Sequence, residues 1–246
     1  MFGVVQTRNG DTENMKLLDC FCGMGGVSDG FALEGFDVTG IDIVDAPKML
    51  GYKHCFIQAD MLTLKGEDFR GYDVVWGSPP CRDFCLFAKR FGKTWKKNPP
   101  SPESGMLLVK AFQRFLGDAK PMFWIMENVP ELQNYFKPAK IVANLRGERQ
   151  MVRAFWGDFP AFLIPRDNKN IVMRYRPECN RKEQVIMKRE ERARIPLACS
   201  RAFAKACKEA LDDQVMGKTP TFFEEWDKAI KGMRFRKTEI PDEVRV

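Results

Sequence analysis

Five short apolar runs alternate with helical segments over the first half of the chain. The runs predict β-strands over 15–21, 36–43, 55–57, 72–76 and 122–126. Because the connection between parallel strands has to cross one face of the sheet, this alternation indicates a mostly parallel sheet with helices on both faces. A final helix is predicted over 195–211. We therefore expect an α/β protein.

The chain of 246 residues suits one large domain, which we place over 15–211. The strand and helix pattern weakens over 137–191, and 212–246 is a basic tail with a helical amphipathic stretch. No apolar run approaches the roughly 20 residues that span a bilayer, and the first residues lack the order of a signal peptide. We expect an intracellular protein that is neither secreted nor bound to a membrane.

Eight cysteines at irregular spacing and a single histidine, His54, argue against a disulfide framework and against a metal site. We expect thiols, most of them packing residues. The formal net charge of +7 favours a polyanionic partner.

The fourth apolar run ends in Gly77-Ser78-Pro79-Pro80-Cys81. The two prolines fix their own φ and favour extended geometry in the residues before them, so the backbone that carries Cys81 is stiff. Ligands of open α/β sheets bind beyond the carboxyl ends of the strands. Cys81 is therefore a candidate nucleophile. The alternative is a small buried packing residue.

The first apolar run ends in a glycine-rich turn, Asp19-Cys20-Phe21-Cys22-Gly23-Met24-Gly25-Gly26, followed by a helix. Glycines let the backbone approach a ligand, and the helix N-terminus offers free N–H groups. Asp42, at the end of the second strand, can accept from both hydroxyls of a ribose, and Asp60, after the third strand, can accept from an adenine amino group. Together these positions describe a face that binds a nucleoside.

A dinucleotide would favour the spacing Gly-x-Gly-x-x-Gly around its pyrophosphate, and this chain has Gly-x-Gly-Gly after an acidic strand end. Asp19 is unsuited to a position beside phosphates but suits an ammonium or sulfonium group. The turn therefore favours S-adenosylmethionine over NAD.

The turn Asp19–Gly26, the segment Gly77–Cys81 and the triplet Glu127-Asn128-Val129, in this order, resemble the motifs of the cytosine-5 DNA methyltransferases. The similarity covers about 15–135, with a weaker match at Arg194-Ile195-Pro196. It implies a Rossmann-like fold, S-adenosyl-L-methionine as cofactor and S-adenosyl-L-homocysteine as product. It also implies double-stranded DNA with a flipped target cytosine as substrate, and a role in DNA methylation such as restriction-modification.

The resemblance assigns roles to individual residues. The Cys81 thiolate adds to C6 of the cytosine, Glu127 holds the N3/N4 edge of the base, and Asn128 braces the Cys81 loop. Cofactor contacts are implied for Asp19, Phe21, Gly23, Gly25, Gly26, Asp42, Ile43, Asp60, Pro79 and Leu107.

The segment after Cys81 alternates basic and aromatic residues, and in the family it is a mobile loop that closes on the DNA. Basic side chains there neutralise phosphates, and an aromatic ring can fill the gap left by a flipped base. The expected DNA contacts are Arg82, Lys89, Arg90, Lys93, Lys96 and Lys97. The alternative is a solvated basic loop.

Several positions depart from the family pattern. Arg82 stands where glutamine is usual, and Cys85 stands where serine is common. The Gln-x-Arg-x-Arg motif, whose arginine helps to anchor the base, has no clear copy. We assign its arginines to Arg174 and Arg176, with Arg149, Arg153 and Arg166 as alternatives.

The stretch between Val129 and the final helix is short for the family. We therefore expect a catalytic domain over 15–211 with a reduced recognition region within 137–191. The tail, a second copy in a homo-oligomer or a separate subunit are alternative sources of target recognition. Alternatives for the activity are an RNA cytosine-5 methyltransferase, a catalytically silent homologue that binds nucleic acid, and a related transfer with a modified cofactor or base.

Overall fold

A twisted sheet of seven strands runs through the residues that the computed structural model describes, which are 14–85, 101–145, 152–162 and 194–215. The strands are β1 Lys16–Cys20, β2 Asp37–Asp42, β3 Cys55–Gln58, β4 Val74–Gly77, β5 Phe123–Asn128, β6 Ile141–Asn144 and β7 Val152–Asp158. The helices are α1 Gly26–Leu33, α2 Ala46–Leu50, α3 Pro102–Ala119 and α4 Leu197–Val215. Short 3₁₀ turns cover Gly66–Phe69, Cys81–Asp83 and Pro130–Asn134.

The strands lie in the order β3-β2-β1-β4-β5-β7-β6. β1 to β5 are parallel to one another, while β7 is antiparallel to both β5 and β6. The predicted α/β class and the mostly parallel sheet are confirmed. The order reverses at β1, which places a crevice between the carboxyl ends of β1 and β4, where ligands of such sheets bind.

Two strands, β6 and β7, fall within 137–191, where the sequence pattern is weak. The centre of β7, Ala154-Phe155-Trp156, is buried on both faces of the sheet, so it lacks the apolar–polar alternation of a half-buried strand.

The two faces of the sheet are covered by different helices. Trp76 of β4 is fully buried, and its ring lies 6.4 Å from that of Phe31 on α1 and 4.9 Å from that of Phe203 on α4. The preceding residue, Val75, belongs to the cluster that contains Phe112 of α3. Successive side chains of a strand point to opposite faces. α1 and α4 therefore cover one face and α3 the other.

Gly30 sets how closely α1 and α4 approach. A Cβ added to Gly30 would lie 2.1 Å from Ser200 Oγ and 2.8 Å from the backbone nitrogen of Arg201. We expect Gly30→Ala to lower the free energy of unfolding by roughly 1–3 kcal/mol, because the helices have to move apart. Gly117→Ala is the matched control: Gly117 lies in α3 with no neighbour within 4 Å of such a Cβ. Gly117→Ala should raise the free energy of unfolding by about 0.5–1 kcal/mol. Denaturant unfolding measures both, and equal shifts would contradict the close-approach argument.

The chain divides into two compact units, Met1–Ala210 and Leu211–Val246. The first contains the whole sheet. Of the second, the structure describes only the end of α4, so the predicted tail helix lies outside the described residues. Within the described part of the chain, no helix combines the length and the apolar character needed to cross a membrane.

Candidate active site

The carboxyl ends of β4 and β5 lie side by side, because Gly77 pairs with Met126 in parallel register. Glu127 and Asn128 end β5, and Cys81 opens the 3₁₀ turn that follows β4. β7 runs in the opposite direction and pairs Phe155 with Glu127, so Arg153 enters from the far side of β5. The order of the sheet thus brings a thiol, a carboxylate and a guanidinium to one edge.

Glu127 is buried, at 6% exposure, and its Oε1 accepts a hydrogen bond from Arg153 Nε at 2.6 Å. Burial raises the pKa of Glu127, because a charged carboxylate loses its hydration. The positive charge of Arg153 and the hydrogen bonds from Arg153 and Ser78 act in the opposite direction. Arg153, by its charge and its N–H group, and Ser78, by its hydroxyl, therefore hold the Glu127 carboxylate in place.

Ser78 links the strand exit to this carboxylate, a contact that the sequence analysis missed. Trp76 Nε1 donates to Ser78 Oγ at 2.9 Å, and the Ser78 hydroxyl hydrogen-bonds the side chain of Glu127. The contact could have been predicted from the position of Ser78, because its turn follows β4 and Glu127 lies at the end of the neighbouring strand β5. Through these hydrogen bonds, Ser78 fixes Glu127 relative to the backbone of the Cys81 segment.

Asn128 ties the two strand exits together. Its Nδ2 donates to the carbonyl oxygen of Pro79 at 2.9 Å, and its Oδ1 accepts from the backbone N–H of Val129 at 2.9 Å. The side chain is fully buried, so loss of either bond would leave an unsatisfied polar group. Asn128 therefore fixes the segment two residues before Cys81.

Cys81 is half-buried, and its surroundings favour the thiolate. A hydrogen bond from the thiol of Cys85 is the main factor that lowers the pKa of Cys81, and the charge of Arg153 adds to it. Burial and the charge of Glu127 raise this pKa but do not outweigh those effects. A thiolate is the nucleophilic form of cysteine, so this site can supply a sulfur nucleophile.

The glycine-rich turn lies at the carboxyl end of β1 and has an unusual backbone. Phe21 has φ 61 and Gly25, the N-cap of α1, has φ 75. A left-handed conformation at a residue with a side chain costs roughly 1–2 kcal/mol. Such strain clusters at binding sites. The Asp42 carboxylate holds the turn, because its Oδ2 accepts from Gly23 N at 3.0 Å while its Oδ1 accepts from Val44 N at 3.1 Å.

The other residues predicted to bind the cofactor include a polar acceptor and exposed apolar side chains. Ile43, directly after Asp42, is 62% exposed, and Leu107 of α3 is 59% exposed. Asp60 follows β3, and its Oδ1 accepts from Leu62 N at 2.9 Å. Pro79 is buried beside the Cys81 turn. Carboxylates that can accept from ribose hydroxyls, together with uncovered aliphatic side chains for a purine ring, fit an adenosine group.

Asp19, the acidic residue of the turn, is buried, at 1% exposure. Its Oδ2 accepts from the Ser28 hydroxyl at 2.6 Å and from the Ser28 backbone N–H at 3.2 Å, and Ser28 Oγ lies 2.9 Å from the hydroxyl oxygen of Tyr52. Burial is the main cause that raises the pKa of Asp19 to about 7. The carboxylate therefore anchors the first turn of α1, and its role toward the cofactor stays a prediction.

The raised pKa of Asp19 predicts a pH-dependent stability. In the folded protein Asp19 keeps its proton up to about pH 7, whereas the ordinary value is 3.8. Its contribution to stability is thus complete below the ordinary value and is lost as the pH rises toward neutrality. As the pH rises from acidic to mildly alkaline, the wild type should lose roughly a few kcal/mol of unfolding free energy that Asp19→Asn does not lose. Urea unfolding at both pH values measures this difference, and parallel pH profiles would refute it.

The other predicted site residues fall in two groups. Arg82 is half-buried in the turn Cys81–Asp83, and Arg153, an alternative for the missing arginine motif, pairs with Glu127. The remaining basic candidates lie outside the described residues: Lys89, Arg90, Lys93, Lys96, Lys97, Arg149, Arg166, Arg174 and Arg176. For these the assignments stay predictions.

Among the described residues, no group of histidine, cysteine, aspartate and glutamate could hold a metal ion. The described cysteines are free thiols: Cys20, Cys22, Cys55, Cys81, Cys85, Cys199 and Cys207. His54 bonds Asp29 through Nε2 at 2.8 Å, which holds the ring against α1.

Comparison with known proteins places this site in a family. The family model described as C-5 cytosine-specific DNA methylase matches residues 15–144. The type II methylase M.HgiDII of Herpetosiphon aurantiacus is 29% identical over 131 residues, which cover 48% of this chain and 34% of that protein. The type II methyltransferase M1.HphI of Haemophilus parahaemolyticus is 32% identical over 130 residues, which cover 48% and 33%. The Entamoeba histolytica methyltransferase EhMeth aligns at a TM-score of 0.42 with 14% identity, over 65% of this chain and 58% of that one.

The sheet order and the position of the glycine turn define a Rossmann-like methyltransferase fold. The chain belongs to the C-5 cytosine-specific DNA methylase family. This confirms the predicted family. The alignments with these two curated relatives span about a third of their length.

Proposed function

We propose that this protein transfers a methyl group from S-adenosyl-L-methionine to C5 of a cytosine in DNA, through a covalent bond between Cys81 and C6. The observation that carries the proposal is the convergence of a thiol that favours its thiolate with the buried pair Glu127–Arg153 at one sheet edge. The neighbouring strand exit presents the glycine turn and Asp42. Nucleophile, base-binding group and cofactor face are thus adjacent.

The chemistry requires both the sulfur and the carboxylate. C5 of cytosine is a poor nucleophile, so the Cys81 thiolate first adds to C6, which places electron density on C5. Glu127 holds the N3/N4 edge of the ring and favours the protonated N3, which makes C6 more electrophilic. A raised pKa suits Glu127 to share a proton with N3. After methyl transfer, loss of the C5 proton and breakage of the bond between C6 and the Cys81 sulfur release 5-methylcytosine.

Arg153 contributes charge balance to this sequence of steps. It lies against Glu127 at 2.6 Å and lowers the pKa of both Glu127 and Cys81. Without a cation, two negative groups would face each other in a buried pocket, and each would disfavour the ionised form of the other. We propose that Arg153 takes the anchoring role that the family gives to its arginine motif, beside the earlier assignment to Arg174 and Arg176.

The residues around the glycine turn would hold S-adenosyl-L-methionine. Asp42 would accept from the ribose hydroxyls, Asp60 from the adenine amino group, and Ile43 with Leu107 would cover the purine ring. The remaining cofactor positions are those predicted from the sequence. The cofactor supplies an electron-poor methyl group when bound. The chain orients this group by fixing the turn through Asp42 and the N-terminus of α1.

Double-stranded DNA is the proposed substrate, with the target base flipped into the pocket, because the C5 and C6 atoms inside a duplex are out of reach of a thiol. Methylation assays on matched DNA and RNA, read by sequencing for 5-methylcytosine with its flanking bases, test this proposal. We expect methylated cytosines in DNA. Methylation of RNA alone would show that RNA rather than DNA is the substrate. Absence of methylation in both would support the catalytically silent homologue.

Asp42→Ala tests the cofactor face. We expect the affinity for S-adenosylmethionine to fall by roughly tenfold to a hundredfold, because two charge-assisted bonds to ribose are lost and the turn is released from Asp42. Isothermal titration calorimetry measures this change without DNA. Asp45→Ala is the control, because Asp45 caps α2 by accepting from Lys48 N at 3.2 Å and is not assigned to the cofactor. Equal affinities of Asp42→Ala and the wild type would remove Asp42 from the ribose role.

A further inference from the structure

The segment that joins β3 to β4 lies along α3, and an arginine of α3 holds its first half. Arg114 Nη2 donates to the carbonyl oxygen of Leu62 at 2.9 Å and to that of Leu64 at 3.4 Å. Hydrogen bonds from a guanidinium are stronger than those between neutral groups, because the donor is charged. Arg114 itself is exposed, so its replacement leaves the core of the protein intact.

The later contacts of this segment follow α3 toward its C-terminal end. A Cβ added to Gly66 would lie 2.1 Å from the carbonyl oxygen of Phe115. Farther along the segment, Arg70 Nε donates to the carbonyl oxygen of Asp118 at 3.1 Å. The segment and the helix therefore run in the same direction. Asp60, which precedes these contacts in the chain, lies on the side of the N-terminal half of α3.

The segment begins with a turn around Asp60. Asp60 Oδ1 accepts from the backbone N–H of Leu62 at 2.9 Å. Ala59 N donates to the carbonyl oxygen of Asp42 at 3.0 Å, which places the turn beside the residue proposed to bind the ribose. Leu62 thus contacts the Asp60 carboxylate through its N–H and Arg114 through its carbonyl oxygen.

α3 presents an exposed leucine on the side where it holds this turn. Leu107 lies seven residues before Arg114, so the two side chains project from one side of the helix, about two turns or roughly 10 Å apart. Leu107 is 59% exposed. It is displaced toward the end of the helix near which Asp60 lies. The distance between the turn and α3 therefore sets the width of the space between Asp60 and Leu107.

We propose that Arg114 is a positioning residue for the adenine end of the cofactor, because it holds the Asp60 turn against α3 and so fixes the carboxylate that accepts from the adenine amino group. The inference rests on the proposed function and adds a residue that does not touch the cofactor. An acceptor that is already in place before binding contributes more affinity than one that has to be ordered on binding. Loss of Arg114 should therefore weaken recognition of the amino group in particular.

The test compares S-adenosylhomocysteine with its purine analogue, which carries hydrogen in place of the adenine amino group. Calorimetric titration of the full-length protein without DNA gives both affinities. We expect the wild type to bind S-adenosylhomocysteine about tenfold more tightly than the analogue, as for one charge-assisted hydrogen bond. In Arg114→Met this preference should fall to about twofold, with the affinity for the analogue nearly unchanged.

Arg70→Met is the matched control. It removes a bond of the same kind, between the same segment and the same helix, but farther along the chain from Asp60. It should keep the preference of the wild type.

Hydrogen exchange gives a second readout that does not require the cofactor. The backbone N–H groups of Leu62 and Thr63 donate to Asp60, at 2.9 Å to Oδ1 and at 3.0 Å to the carbonyl oxygen. Both amides should exchange faster in Arg114→Met than in the wild type, because the turn is no longer held on α3. Arg70→Met should leave their exchange unchanged.

The outcomes separate this inference from the proposed function. Unchanged exchange at both amides, an undiminished preference in Arg114→Met, or an equal loss of affinity for both ligands would each overturn the role of Arg114. A wild type that binds both ligands alike, or neither, would overturn it together with the adenine assignment of Asp60. A wild type that shows the preference but methylates no nucleic acid would overturn the proposed function alone.

Discussion

Replacement of Cys81 by alanine should abolish methyl transfer and leave the affinity for S-adenosylmethionine unchanged. The thiol forms the bond to C6, and the proposed cofactor contacts come from other residues, so binding and chemistry separate. We expect turnover to fall by about 10³-fold or more, as on removal of other catalytic nucleophiles. Methylation assays and calorimetric titration of the cofactor measure the two effects on the same protein.

DNA that contains 5-fluorocytosine gives the same prediction a covalent readout. The fluorine at C5 cannot leave as the proton does, so the bond between the Cys81 sulfur and C6 persists. The wild type should form an adduct that survives denaturation, and Cys81→Ala should not. Cys55→Ala is the matched control, because Cys55 is exposed at the amino end of β3, away from the strand exits. Adduct formation by Cys81→Ala, or loss of cofactor binding in the folded variant, would contradict the assignment.

Removal of Arg153 alone should destabilise the protein by roughly 3–5 kcal/mol, because Glu127 then stays buried without its cation. Arg153→Met keeps much of the volume and removes the charge. The double variant Glu127→Gln/Arg153→Met should recover most of the loss, since no buried charge remains. Denaturant unfolding of the wild type, the two single variants and the double variant gives the coupling energy.

The same set of variants predicts a pH dependence with a defined sign. Burial already raises the pKa of Glu127, and the charge of Arg153 is the largest effect that lowers it. In Arg153→Met the pKa of Glu127 should therefore rise further. A raised carboxyl pKa contributes stability at low pH that is lost as the pH increases. The deficit of Arg153→Met should thus be small in acid and grow toward alkaline pH, and a deficit independent of pH would show that packing, rather than charge, is lost.

The sequence predicts the part of the site that depends on single strands. Cys81 and Glu127 each follow an apolar run, and parallel neighbours bring their carboxyl ends together, so their proximity follows from the pattern. Arg153 does not follow in this way. Its strand is buried on both faces, and its antiparallel place between β5 and β6 depends on pairings that no local pattern encodes.

The sequence also did not predict the direction in which individual side chains point. Asp19 suits a sulfonium group by its charge, but its Oδ2 accepts two bonds from Ser28 inside α1. Ser78 contacts Glu127 only because the turn after β4 aims its hydroxyl at the next strand. A hydrogen-bond partner across two elements depends on distances of a few tenths of an ångström, and residue types and spacing do not determine these.

The place of β7 has a consequence for the order in which the pocket becomes competent. Arg153 lies on the strand that joins the sheet beside Glu127 from the opposite direction. During synthesis, β1 to β5 emerge before the only described cation that pairs with Glu127 in the finished site. Until β7 docks, β5 is an edge strand and Glu127 lacks the cation with which it pairs in the finished site. We therefore expect a charge-balanced pocket around Cys81 only in a chain whose sheet is complete, and an incompletely synthesised chain should lack methyltransferase activity.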